Sequence, residues 1–254
     1  MSGLGVLLRR ELLEQWRTYR LLVVLAVFAV IGIVSPLTAL YINELLAALG
    51  GGQIEIVFPT PTAADAVAQL IKNAGQMGAF IAVLLTMGAV VTEKECGTAA
   101  MILTKPATRP AFLGAKALAV GLLLAAGVAL AYGLAAAYTA VLFEPLPLVG
   151  VVASALLLWL SLAVCGAVTF LASTVAPSAI VAGGVGLAVV LGSGILGAFP
   201  ALAPYMPPGL WGAAQELALG RAPAFDLAGP VLLNAGAALV ALVLAGVAFR
   251  RQEL

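Results

Sequence analysis

Residues 112–143 read FLGAKALAVGLLLAAGVALAYGLAAAYTAVLF, an apolar run whose single charge, Lys116, lies near its start. About 20 helical residues cross a ~30 Å hydrocarbon core. The run is therefore long enough to span a membrane with tilt, or with a bend near Gly121 or Gly127. The strands of a β-barrel would alternate apolar and polar side chains, with turns every ten or so positions. Here the residues are continuously apolar and rich in Ala, Leu, Val and Gly, so the run is a helix, which satisfies its backbone within one segment. Five further runs, 21–41, 77–91, 148–175, 179–199 and 228–249, have the same character. The run at 77–91 is short, so its helix is expected to begin before Met77 or to continue past Val91. The chain is 63% hydrophobic and 9% charged, against roughly 25% charged in a soluble domain. Too little polar sequence remains to cover six such runs. The fold class is all-α, a polytopic membrane protein with six transmembrane helices.

Charge asymmetry sets the expected orientation. With both ends and residues 92–110 in the cytoplasm, that side holds Arg9, Arg10, Arg17, Arg20, Lys94, Lys105, Arg109, Lys116, Arg250 and Arg251, ten of the twelve basic residues. Only Lys72 and Arg221 fall outside. Acidic residues divide almost evenly, so the bias is a basic one. The expected location is the cell membrane, multi-pass, with both termini cytoplasmic.

Two domains follow. Residues 1–20 form a cytoplasmic interfacial helix, and 21–254 a single six-helix transmembrane domain with outer segments 42–76 and 199–227. The long charged region before Leu21, with no small-residue cleavage site after it, reads as a retained signal anchor. Leu8, Leu12 and Trp16 recur at i, i+4 and i+8, which suits a helix lying in the headgroup layer. A plain cytosolic extension of the first span fits equally. Outside, Thr62 with Asp65 has capping-box spacing, and Val67, Leu70, Ile71 and Ala74 follow at helical spacing until Gly75. This predicts a short amphipathic helix before the second span. Residues 199–227 are dense in proline, and Pro207 and Pro208 are placed to start an interfacial or re-entrant helix through Leu219. That segment is either a lid over an exit path or a packed loop shielding helix ends.

Several kinds of chemistry are excluded. The chain has no histidine, which removes Ser-His-Asp and Cys-His catalysis and the usual zinc ligand sets. No catalytic and no metal-binding residues are assigned. Cys96 and Cys165 are too far apart in the expected topology to pair. No GxxxxGK[ST] loop occurs, so the chain does not hydrolyse ATP by itself. Span centres lack ionisable residues, which argues against a self-powered carrier. Ser35, Thr38, Thr86, Ser161, Thr169, Ser193 and Asn234 are the few polar residues within spans, and they form no readable substrate site. Energy for uphill movement must then come from another chain.

One segment stands apart. Residues 92–110, TEKECGTAAMILTKPATRP, concentrate three basic residues, two glutamates, a Gly-Thr pair and two prolines. Gly97 and Thr98 give a turn and an N-cap for a short helix stopped by Pro106. Such a stub joins two spans directly, so force applied to it can move them. The alternative is an ordinary positive-inside loop with solvated charges.

EKECGT, Leu103, KPATR and Lys116 together resemble the E-x-E-x-G-T…L…K-P-x-x-R…K signature of type 2 ABC transporter permease subunits, the six-helix export permeases. The likeness extends to the amino-terminal helix, the outer segments and the six spans. It implies that 92–110 is a coupling loop, carrying a short cytoplasmic coupling helix that docks in a groove of a separate ABC ATP-binding subunit. By that resemblance Glu93, Lys94, Glu95, Gly97, Thr98, Lys105, Pro106 and Arg109 are the ATPase-coupling residues. The chain itself binds no cofactor, with ATP and Mg expected on the partner subunit, and is not an enzyme. Two copies are expected to form the translocation path as a homodimer among membrane lipids, with no nucleic acid involved. In the fifth span Ala182, Gly186, Ala188 and Gly192 make small-xxx-small pairs, fit either for that dimer interface or for packing within one subunit. The implied function is the permease subunit of an ATP-driven ABC exporter. The alternative is a membrane scaffold or mechanical transmitter through which no substrate passes.

Overall fold

A computed structural model of the chain describes residues 3–49, 60–97 and 108–252. Within them the helices are α1 Gly3–Arg17, α2 Arg20–Leu49, α3 Ala63–Met87, α4 Val91–Glu95, α5 Arg109–Leu142, α6 Leu148–Val175, α7 Ala179–Leu196, α8 Gly209–Ala218 and α9 Ala228–Arg250, with a 3-10 turn at Ala203–Tyr205. Six helices are long and apolar enough to cross a membrane: Arg20–Ile42, Ala63–Glu95, Arg109–Leu142, Leu148–Val175, Ala179–Leu196 and Ala228–Arg250. The all-α, six-span expectation holds. Helix α5 runs unbroken through Gly121 and Gly127.

Helix α2 crosses α5 at very short range because glycine is present on both. A Cβ on Gly32 would sit 2.6 Å from the Ala131 carbonyl, and one on Gly127 would meet the Phe28 ring at 2.5 Å. Phe28 is wholly buried there. In lipid, close approach of this kind replaces the hydrophobic drive that holds soluble helices together.

The short amphipathic helix expected before the second span and that span are one helix. The Thr62 amide donates to Asp65 Oδ2 at 2.9 Å, as the capping spacing requires. However, Gly75 does not end the helix. It makes room for Trp211, whose ring atoms lie 2.5–2.9 Å from where a Cβ would stand. The ~1 kcal/mol that glycine costs inside a helix is offset by that packing.

Trp211 belongs to α8, and its indole Nε1 donates to Ser161 Oγ at 3.1 Å. Ser161 lies roughly 20 Å along α6 from Leu148 at 1.5 Å per residue. Leu210, Ala213, Ala214 and Ala218 of α8 are buried, three of them in the main core cluster with α3 and α6. The proline-rich segment 199–227 is therefore a packed element. Asn234 ties it to α9 by donating to the Tyr205 carbonyl at 3.1 Å.

Candidate functional site

Both termini of the described chain and the flanks of residues 98–107 meet at one end of the bundle. The second span breaks there, between Met87 and Val91. A break leaves amides without helical partners, and Ser173 Oγ of α6 accepts from Val90 N at 3.1 Å and Val91 N at 3.3 Å. The stub α4 thus leaves α3 in a fixed direction, with Val90 and Val91 buried.

From α4, Glu93 turns inward. Its Oε1 lies 2.7 Å from Lys116 Nζ of α5, and Glu11 Oε2 of α1 lies 3.0 Å from the same ammonium. Lys116 is buried, and its side chain is only 6% exposed. The ammonium also sits 5.4 Å from the centroid of Phe112, which stacks on Phe249 of α9 at 5.8 Å. One cation therefore gathers α1, α4 and α5, and its aromatic neighbour extends the contact to α9. Carboxylate oxygens of Glu11, Glu14 and Glu93 all lie within 4.8 Å of one another, and Lys116 supplies the positive charge among them. Burial pushes the Glu11 carboxyl above its ordinary range; Lys116 pulls it back, and Glu93 and Glu14 add to the rise.

Lys94 points the other way. Its Nζ donates to the Thr174 carbonyl at 2.7 Å and to Gln252 Oε1 at 3.2 Å, and Gln252 Nε2 donates to the same carbonyl at 2.9 Å. A cation at the last turn of α6 complements the helix dipole. On the far flank, Thr108 caps α5, accepting from Ala111 N at 3.4 Å. Arg109 Nη1 donates to the carbonyls of Phe249, Arg250 and Gln252 at 3.2, 2.9 and 3.1 Å. It closes the carboxyl end of α9.

The coupling residues read from sequence thus fall into three sets. Glu93, Lys94 and Arg109 face into the protein and anchor the flanks. Glu95 and Gly97 are exposed, with Gly97 at φ 69°, the left-handed conformation that glycine adopts freely. Thr98, Lys105, Pro106 and the short helix expected between them lie outside the described residues. Sequence reasoning missed Glu11, Ser173 and Gln252. It placed Lys116 in a motif without seeing it as the hub, although a lone charge inside an apolar run was the available signal.

In the fifth span the four small residues separate. Ala182 is buried, and a Cβ on Gly186 would collide with the side chains of Thr169 and Val83. Both pack within this subunit. Ala188 is exposed, and nothing lies within 4 Å of a Cβ on Gly184 or Gly192.

Residues 6–254 match the family described as ABC-2 family transporter protein. A segment of 122 residues is 26% identical to the uncharacterized transmembrane protein YxlG of Bacillus subtilis (strain 168), covering 46% of this chain and 46% of that protein. The alignment thus spans about half the length of that relative.

Proposed function

Because this chain belongs to the ABC-2 family of transporter proteins, we propose that it is the permease subunit of an ATP-driven exporter, with residues 92–110 as the docking element for a separate ATP-binding subunit. The observation that carries the proposal is the anchoring of both flanks of that element. Glu93, Lys94 and Arg109 connect it to α1, α5, α6 and α9, so a push on the exposed Glu95 or Gly97 reaches four membrane-associated helices through short polar contacts. A plain solvated loop has no need of such anchors. The end of the bundle that carries them holds most of the basic residues, which supports its placement in the cytoplasm.

Co-purification of the chain with an ATP-binding subunit, followed by nucleotide-dependent movement of a compound in vesicles, tests the proposal. Retention of the ATP-binding subunit after deletion of 98–107 would overturn it. Labelling fixes the orientation. An impermeant maleimide added outside intact cells should miss the exposed native Cys96 and react with Ala222→Cys.

The second reading, a mechanical transmitter that passes no substrate, draws on the buried hydroxyls. Thr86, Thr169 and Ser193 each donate to a carbonyl of their own helix, so none is turned toward a polar solute. Under this reading nucleotide hydrolysis is coupled to the chain but no compound moves.

A further inference from the structure

Helices α5, α6 and α9 enclose an open groove of about 920 Å³ that takes no part in the ion-paired cluster. Its floor is Ala163, Gly166 and Ala167 of α6, with walls that include Gly121 and Gly246. Facing small residues normally let membrane helices close on one another. These helices stay apart: nothing lies within 4 Å of a Cβ on Gly121 or Gly246. The Gly121 carbonyl is already occupied by Trp159 Nε1 at 3.0 Å, so that wall offers no open polar group there. Charge enters only at one end, where Arg250 lines the mouth beside Pro110. Arg250 is exposed and makes no ion pair among the described residues, whereas neighbouring Arg109 is committed to the α9 carbonyls.

An apolar trough with a cation at its mouth is complementary to an amphiphile with an anionic head. We propose that this groove holds one anionic phospholipid, with its phosphate at Arg250 and an acyl chain lying along α5, α6 and α9. The length of the trough accommodates that acyl chain. From Arg250 to Ala235 the lining extends roughly 22 Å along α9, longer than the ~15 Å of hydrocarbon in one leaflet. The site is independent of ATPase docking and would stand if that reading failed.

Native mass spectrometry of the full chain in detergent, equilibrated with equal phosphatidylglycerol and phosphatidylcholine of identical acyl chains, tests the proposal. The expected result is one retained phosphatidylglycerol per chain, preferred about tenfold, as a charge-assisted contact supplies. Arg250→Gln should abolish the preference, chiefly by lowering phosphatidylglycerol retention. Gly121→Leu and Gly246→Leu should remove retained lipid of both classes. Gly133→Leu, on an exposed position of α5 with nothing within 4 Å of its Cβ, should leave retention at the wild-type level. Melting temperatures of all four variants identify any that fail to fold. Equal retention of the two lipids by the wild type, a preference that survives Arg250→Gln, or retention unaffected in both groove variants would each overturn the site. So would a disulfide between two copies of a Leu239→Cys variant, which would place a second chain in the groove.

Discussion

Glu93 and Lys116 meet at 2.7 Å in a largely buried pair that joins the stub after the second span to the third span. With Glu11 on the same ammonium, the pair fixes how α1, α4 and α5 sit against one another. Breaking a buried pair by removing one partner costs about 3–5 kcal/mol, because the other charge is left without compensation. Lys116→Met should therefore destabilise the chain by that amount and release α1. Glu11→Gln, Glu93→Gln and Lys116→Met together should recover most of the loss. A shift in melting temperature that is no larger for Lys116→Met than for the triple variant would show that the pairing contributes nothing.

Glu11 adds a pH dependence whose sign follows from its raised carboxyl. A carboxyl raised on folding stabilises the fold below its ordinary value of 4.5. That contribution is lost as pH rises through the elevated value. The protein should gain stability as the pH falls toward 4.5 through this group, and Glu11→Gln should flatten that part of the profile. Thermal melts from pH 7 down to 4.5 measure it, and an unchanged slope in Glu11→Gln would assign the dependence elsewhere.

The orientation of Glu93 separates two effects that a joint reversal of Glu93 and Glu95 would mix. Glu95 is exposed, so Glu95→Lys should leave melting unchanged and weaken capture of the ATP-binding subunit tenfold or more, as a reversed charge against a basic partner does. Glu93→Lys should instead lower the melting temperature, since it places a second cation beside Lys116. Pull-down and melting measured on the same preparations decide. Wild-type capture by Glu95→Lys would remove that residue from the docking surface.

The six spans were legible because length and apolarity alone settle what crosses a membrane. The Thr62–Asp65 cap was legible because it is local. Gly75 was misread as a helix end because the reason for its glycine, the Trp211 ring, arrives from a distant part of the chain. The same holds for Arg109. In sequence it is the arginine of KPATR, read as a coupling residue, while in the fold it closes the end of α9. Anchors made by residues far apart in the chain leave no spacing to read.

The contact between Trp211 and Gly75 has its own test. Trp211→Phe should cost about 1 kcal/mol, the worth of a hydrogen bond between elements in a membrane. Gly75→Leu should cost about 1–3 kcal/mol by forcing the ring out. Combining them should cost less than the sum, because the smaller ring yields space to the new side chain. Additive losses, read from melting temperatures, would mean that the ring does not occupy the space above Gly75.

The exposed face of α7 carries the last prediction. Gly186 and Gly192 looked equivalent in sequence, yet Gly186 is buried against Thr169 and Val83 while nothing lies near Gly192. Gly184, Ala188 and Gly192 recur every four residues, so they line one side of the helix and would let a second copy approach closely. Gly186→Leu should then destabilise the single chain, by about 1–3 kcal/mol from overpacking. Gly192→Leu should leave the single chain intact and reduce association between copies. Single-molecule photobleaching in vesicles counts the copies, and melting in dilute detergent reports the fold of one. Normal pairing in Gly192→Leu, with a Gly184→Leu variant equally unaffected, would exclude this face of α7 as a contact between copies. Loss of pairing at an unchanged melting temperature would place the contact on this face, because a substitution in open space within one subunit can act only on what lies beyond it.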